Sequence, residues 1–139
     1  MSEKAKILVV DDDETVRLSY LRSLRGACRT VEAAWNGDAA VEAMKTKPFD
    51  VVLLDLRMPG TDGMSVLRTI RERWPDTEVV VITGYPSMET AKRAVQLGAY
   101  DYLAKPVGPT EVIDAADRAV TNKRWTLHEE RAGATGPVH

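Results

Sequence analysis

Only one cysteine, Cys28, occurs in the chain, which excludes an internal disulfide and leaves no pair for a thiolate metal site. Taken alone, Cys28 reads as a small buried side chain. Histidine is nearly as scarce: His128 and His139 both lie near the end, without spacing that suggests a metal or phosphorelay site. No apolar run approaches the roughly 18 residues that cross a bilayer, and residues 1–6 are too polar for a secretory signal. The expectation is therefore a cytoplasmic protein without membrane contact. A positive balance is missing as well. Nineteen Lys and Arg against 21 Asp and Glu give a net charge of -2, and there is no basic stripe, which weighs against direct nucleic-acid binding. At 139 residues the chain has room for one domain with a substantial core, and is too short for two ordinary ones.

What the sequence does have is alternation. Short apolar runs, "KILVV" (6–10), "CRTVEAA" (28–34), "DVVLL" (50–54), "EVVVI" (78–82) and "DYLA" (101–104), are separated by segments of helical period. Val16, Tyr20 and Leu24 recur at four-residue steps, as do Ala40 and Met44, while Leu67, Ile70 and Trp74 follow a three-then-four spacing. Ala91, Ala94 and Val95 precede Gly98, a pattern for a helix that ends on glycine. A last helix is predicted after "VGP", with Val112, Ile113, Ala116, Ala119 and Val120 facing inward. Continuous β-branched runs suit parallel strands covered on both faces, so the pattern predicts a doubly wound α/β domain of about five strands with helices on both sides.

In such a sheet, ligands bind beyond the carboxyl ends of the strands. The residues there are Asp11, Asp12 and Asp13 after the first strand, Asp55 after the third, Thr83 after the fourth, and Lys105 with Pro106 after the fifth. Each has an ordinary explanation: Asp13 is a natural N-cap, Asp55 a turn residue before "RMPG", Thr83 a loop hydroxyl and Lys105 a solvated cation. Together they ask for more, because capping does not require acids after two strands with a hydroxyl and an ammonium after two others. Clustered carboxylates repel unless a cation sits among them, and a hard divalent ion such as Mg2+ takes such oxygens. Asp55 then reads as a phosphoryl acceptor, with Lys105 and Thr83 stabilising the equatorial oxygens. Pro59 and Gly60 fit the central positions of a type II turn that folds the loop back, leaving the Arg57 carbonyl available to the metal.

The segments "ILVVDDD", "VVLLDLRMPGTDG", "VVVITGY" and "GAYDYLAKP" together resemble the receiver domain of two-component response regulators. The resemblance covers roughly residues 5–122 and implies a flavodoxin-like (βα)5 fold with a five-stranded parallel sheet of order 2-1-3-4-5. It implies that Asp55 accepts a phosphoryl group from a histidine kinase phosphohistidine, with Asp12 a direct metal ligand, Asp11 acting through water, and Asp55 and the Arg57 carbonyl completing the protein ligands. Thr83 resembles the switch hydroxyl, Tyr102 the aromatic switch residue and Lys105 the phosphate-binding lysine, with Pro106 after a cis peptide. Arg57 and Tyr85 stand two residues beyond Asp55 and Thr83, where family members vary and tune phosphoryl lifetime. Implied partners are a histidine kinase and a second copy through the face of the fourth helix, fifth strand and fifth helix; the effector is not identified.

Competing classes fit less well. A haloacid-dehalogenase-like, Mg-dependent aspartate-nucleophile phosphatase wants a second acid where Arg57 stands. A flavin or dinucleotide binder wants a glycine-rich, phosphate-cradling first loop where this chain has "DDDETVR". The expectation is a phosphoacceptor rather than an enzyme, spanning 1–122, with 123–139 extending the last helix into a flexible tail. Trp125 and Leu127 fit either an amphipathic partner face or a solvated helix end. The segment reads as a stand-alone receiver or as part of a longer DNA-binding regulator.

Overall fold

The computed structural model describes residues 4–26 and 28–133, with side chains through Leu127. Predicted features of the tail at 134–139, including His139, and the side chain of His128 lie outside that range. Five strands form one parallel sheet: β1 (Ala5–Val10), β2 (Arg29–Ala34), β3 (Val51–Leu54), β6 (Glu78–Thr83) and β7 (Asp101–Ala104). Their spatial order is β2-β1-β3-β6-β7, which is the expected 2-1-3-4-5 when only the sheet's own strands are counted. Five helices separate or follow them: α1 (Glu14–Leu24), α2 (Gly37–Thr46), α3 (Gly63–Arg73), α4 (Met88–Gln96) and α5 (Pro109–Gly133).

Strict alternation along the strands divides the core in two, because successive side chains of a strand point to opposite faces. Leu8, Val10, Val52, Leu54, Val79 and Val81 meet α2, α3 and α4 through Met44, Leu67, Ile70 and Ala94. Ile7, Val9, Val51, Leu53, Val80 and Ile82 meet α1 and α5 through Tyr20, Leu24, Val112 and Ala116. The central strands carry apolar residues at every position for this reason, whereas the edge strand β2 is half open and reads as a weaker run. Among the described residues no helix is long and apolar enough to cross a membrane.

The helix boundaries follow local chemistry. Asp13, Asn36, Asp62 and Ser87 cap α1, α2, α3 and α4, each accepting a backbone N–H of the first turn. Past Val120, α5 is held to the amino-terminal edge of the sheet by Asn122 on Glu78 (2.6 Å) and Lys123 on Asp50 (2.5 Å).

One sequence expectation is corrected. Cys28 is exposed, because it lies in the turn entering an edge strand. Val95 is exposed as well: α4 rests on the sheet through Ala94, and Val95, about 100° further around the helix, turns to solvent. The sequence also gave no sign of the short antiparallel ladder of β4 (Arg57–Met58) and β5 (Thr61–Asp62). Its turn is the anticipated Pro59-Gly60, with Gly60 at φ 71°.

Candidate functional site

The carboxyl ends of β1, β3, β6 and β7 bring the predicted residues to one edge. Backbone bonds across the sheet fix their starting points. The amide of Asp11 donates to the Ala34 carbonyl (3.1 Å), that of Asp55 to the Val10 carbonyl (2.9 Å) and that of Lys105 to the Thr83 carbonyl (2.8 Å). Asp11, Asp55 and Thr83 are thereby carried inward and buried, with 2%, 5% and 1% exposure, while Asp12 is exposed one residue further out. Gly63 lets the chain close behind Asp55: a Cβ there would lie 2.4 Å from the Leu56 Cα.

Lys105 is the pivot of the charge arrangement. Its ammonium donates to Asp11 Oδ2 at 2.8 Å and to Asp55 Oδ2 at 3.4 Å. The second oxygen of each acid is held by backbone, Asp11 Oδ1 by the Asp13 amide (2.9 Å) and Asp55 Oδ1 by the Arg57 amide (3.1 Å). Burial pushes the Asp55 carboxyl above its ordinary range, and the Asp11 charge adds to this, against the opposing pull of the Arg57 amide and Lys105. Burial works against the lysine charge, yet the bond to Asp11 and the charges of both acids hold Lys105 above its ordinary value.

Carboxylate oxygens of Asp11, Asp12 and Asp55 come within 4.8 Å of one another, so this cluster could hold a metal ion. An all-oxygen donor set with no thiolate or imidazole suits a hard cation. Thr83 accepts the Tyr85 amide on its hydroxyl oxygen at 3.1 Å. The Lys105–Pro106 peptide is cis. Over the mouth, the Arg57 guanidinium stacks on the Tyr85 ring, 4.2 Å from its centroid. Asp12, Arg57, Thr61, Asp62 and Tyr85 line a cavity of about 480 Å³ there. Tyr102 is not among these groups; its hydroxyl reaches instead to the start of α4.

Two further residues join the site from α1. Arg17, one turn past the Asp13 cap, donates to the Asp11 carbonyl at 2.8 Å and braces the acidic loop. Tyr20 lies in the core, and burial, with the charges of Asp11 and Asp55, raises its hydroxyl above the ordinary range despite nearby Lys105. The i, i+4 step from Asp13 to Arg17 was visible in the sequence; the charges around Tyr20 arrive from other strands and were not.

Residues 7–117 match the family described as the response regulator receiver domain. The DNA-binding transcriptional regulator NtrC of Escherichia coli is 35% identical over 136 residues, covering 98% of this chain and 29% of that protein. The structure of NtrX from Brucella abortus superposes with a TM-score of 0.89 at 29% identity, covering 98% of this chain and 32% of that one. A CheY-like receiver domain protein from Methanospirillum hungatei gives a TM-score of 0.85, covering 89% of this chain and 99% of that one; at 24% identity it supports the fold alone. The chain thus spans under a third of the length of NtrC.

Proposed function

The chain belongs to the response-regulator receiver family of two-component signalling, and from that premise we propose that it is a phosphorylation-activated switch whose acceptor is Asp55. The observation that carries this reading is the buried Asp55 carboxylate joined to buried Asp11 through a shared Lys105 ammonium. In the transfer, an Asp55 oxygen attacks the phosphorus of a histidine kinase phosphohistidine, the P–N bond breaks, and its electron pair returns to the imidazole. Lys105 is already within reach of the acceptor oxygen and follows the growing charge, with the Thr83 hydroxyl as a second donor. Asp11, Asp12 and Asp55, with the Arg57 carbonyl, are the groups that would hold Mg2+. When bound, that ion supplies positive charge to the phosphoryl oxygens.

The acylphosphate adds about -1.5 to -2 charge at the sheet edge. Thr83 and Tyr102 are the switch residues through which α4, β7 and α5 change their preference for a partner, with a second copy of the chain one candidate. The receiver unit is residues 1–122, with 123–139 as its extension, and the protein is a phosphoacceptor rather than a turnover enzyme. Incubation with acetyl phosphate tests this. One phosphoryl group, labile to alkali and to hydroxylamine, is expected in Mg2+ and almost none with EDTA; sustained turnover of p-nitrophenyl phosphate would instead favour a phosphatase.

The Arg57–Tyr85 stack sets how readily water reaches the acylphosphate. Alanine at both positions is expected to speed loss of the phosphoryl group by about three- to tenfold, consistent with a cation–π contact worth roughly 0.5–1 kcal/mol plus the opened path. An unchanged decay rate in a phosphate-release assay would remove this role.

A further inference from the structure

Tyr102 stands on edge strand β7, half-buried against the cluster that contains Val81 and Ala94. Its hydroxyl lies between two groups of the α4 entrance. The Ser87 amide donates to it at 3.3 Å, and Thr90 Oγ1 is 2.5 Å away. Thr90 Oγ1 also faces Ser87 Oγ at 2.9 Å and the Ser87 carbonyl at 3.2 Å. Ser87 is itself the cap of α4, its Oγ accepting the Thr90 amide at 3.1 Å.

The protons of this cluster can be assigned by count. A hydroxyl has one proton and two lone pairs. The Ser87 carbonyl can only accept, so the Thr90 proton goes there. Thr90 Oγ1 is then left to accept from both Ser87 Oγ and the Tyr102 hydroxyl, and Tyr102 accepts in turn from the Ser87 amide. Every close contact is satisfied by this one arrangement, so chains of this kind reinforce one another. Moving the tyrosine would leave the Ser87 amide without its acceptor and remove a donor from Thr90, at the helix terminus where backbone N–H groups already lack intrahelical partners.

We infer that the Thr90 hydroxyl couples the side-chain position of Tyr102 to the first turn of α4, so that neither rearranges without the other. Thr90 is a positioning residue: it does not touch Asp55, and it acts through Tyr102. The first turn carries Met88, which is 74% exposed, so a change at Tyr102 alters what α4 presents to a partner. Its relevance to signalling rests on the proposed phosphoacceptor role, whereas the coupling itself does not.

Amide hydrogen exchange in α4, read by NMR together with fluorine shifts from 3-fluorotyrosine labelling, tests the coupling. Tyr102→Phe and Thr90→Val are each expected to speed exchange at the Thr90 and Ala91 amides by about two- to tenfold, the factor that one net hydrogen bond supplies. Thr90→Val should also shift the Tyr102 fluorine resonance. The double variant should exchange no faster than the more affected single variant, and Thr90→Ser, which keeps the hydroxyl, should stay near the parent on both readouts. If Tyr102→Phe leaves α4 exchange unchanged, or the two effects multiply, the coupling is wrong and Thr90 is only a local cap. Should Thr90→Val fail to fold, the comparison of Tyr102→Phe with Thr90→Ser decides in the same way. No phosphoryl donor is present in these measurements, so they stand or fall separately from the role of Asp55.

Discussion

Asp55→Asn is expected to abolish phosphoryl labelling by acetyl phosphate or a cognate kinase, while making the metal-free fold more stable at neutral pH. The first effect follows from chemistry: a neutral carboxamide does not attack the phosphorus and displace the donor's leaving group to give an acylphosphate. The second follows from burial. Asp55 is 5% exposed, and its carboxyl is held above the ordinary range chiefly by desolvation and by the Asp11 charge. A carboxyl with a raised pKa in the fold gives up its proton first in the unfolded chain. Stability therefore falls as pH rises from the ordinary value of about 3.8 through the raised one. Asparagine removes that loss. The gain in urea midpoint over the parent, measured in EDTA, should be present at pH 7 and shrink below the ordinary carboxylate range, where both chains are uncharged at this position. Persistent labelling of the variant would overturn the acceptor assignment. Equal stability at pH 7 would instead show that Lys105 fully offsets the burial.

Much of this was legible in the sequence for a physical reason. Parallel strands buried on both faces need apolar residues at every position, so "VVLL" and "EVVVI" mark themselves, and the ligand edge is then found by reading the residue after each strand. The acid, hydroxyl and lysine positions follow from that alone. What the sequence could not show is which cation neutralises the acids. Repulsion among carboxylates argued for a metal, but the fold also inserts the Lys105 ammonium between Asp11 and Asp55, positions 94 and 50 residues away along the chain. Helical period placed Tyr20 correctly in the core and said nothing of the charges around its hydroxyl. Apolar character misled at Cys28, because a small side chain is no burden on an exposed turn.

The double use of Lys105 sets up opposite effects on stability and on metal binding. Lys105→Met is expected to lower the unfolding free energy in EDTA by about 3 kcal/mol, the low end for removing one partner of a buried ion pair, because the lysine keeps 22% exposure. The side chains of Asp11 and Asp55, at 3% and 6% exposure, would be left facing each other without a counter-charge. Burial opposes the lysine charge, but its bonds to the acids raise its pKa above the ordinary 10.5, so its contribution is complete below that value and is lost only as pH climbs past it. The loss should therefore be full at pH 7. Mg2+ should reverse part of it, since an ion entering the variant finds two carboxylates that no ammonium already occupies. Calorimetric titration is expected to show tighter Mg2+ binding by the variant than by the parent, and the melting midpoint should rise more on adding the ion. Phosphorylation by acetyl phosphate should fall by about a hundredfold or more even at saturating Mg2+, because a charged donor to the transferring group is missing. Weaker Mg2+ binding by the variant would mean that Lys105 assembles the acids for the metal rather than competing with it. A labelling rate equal to the parent's would remove Lys105 from the transfer altogether.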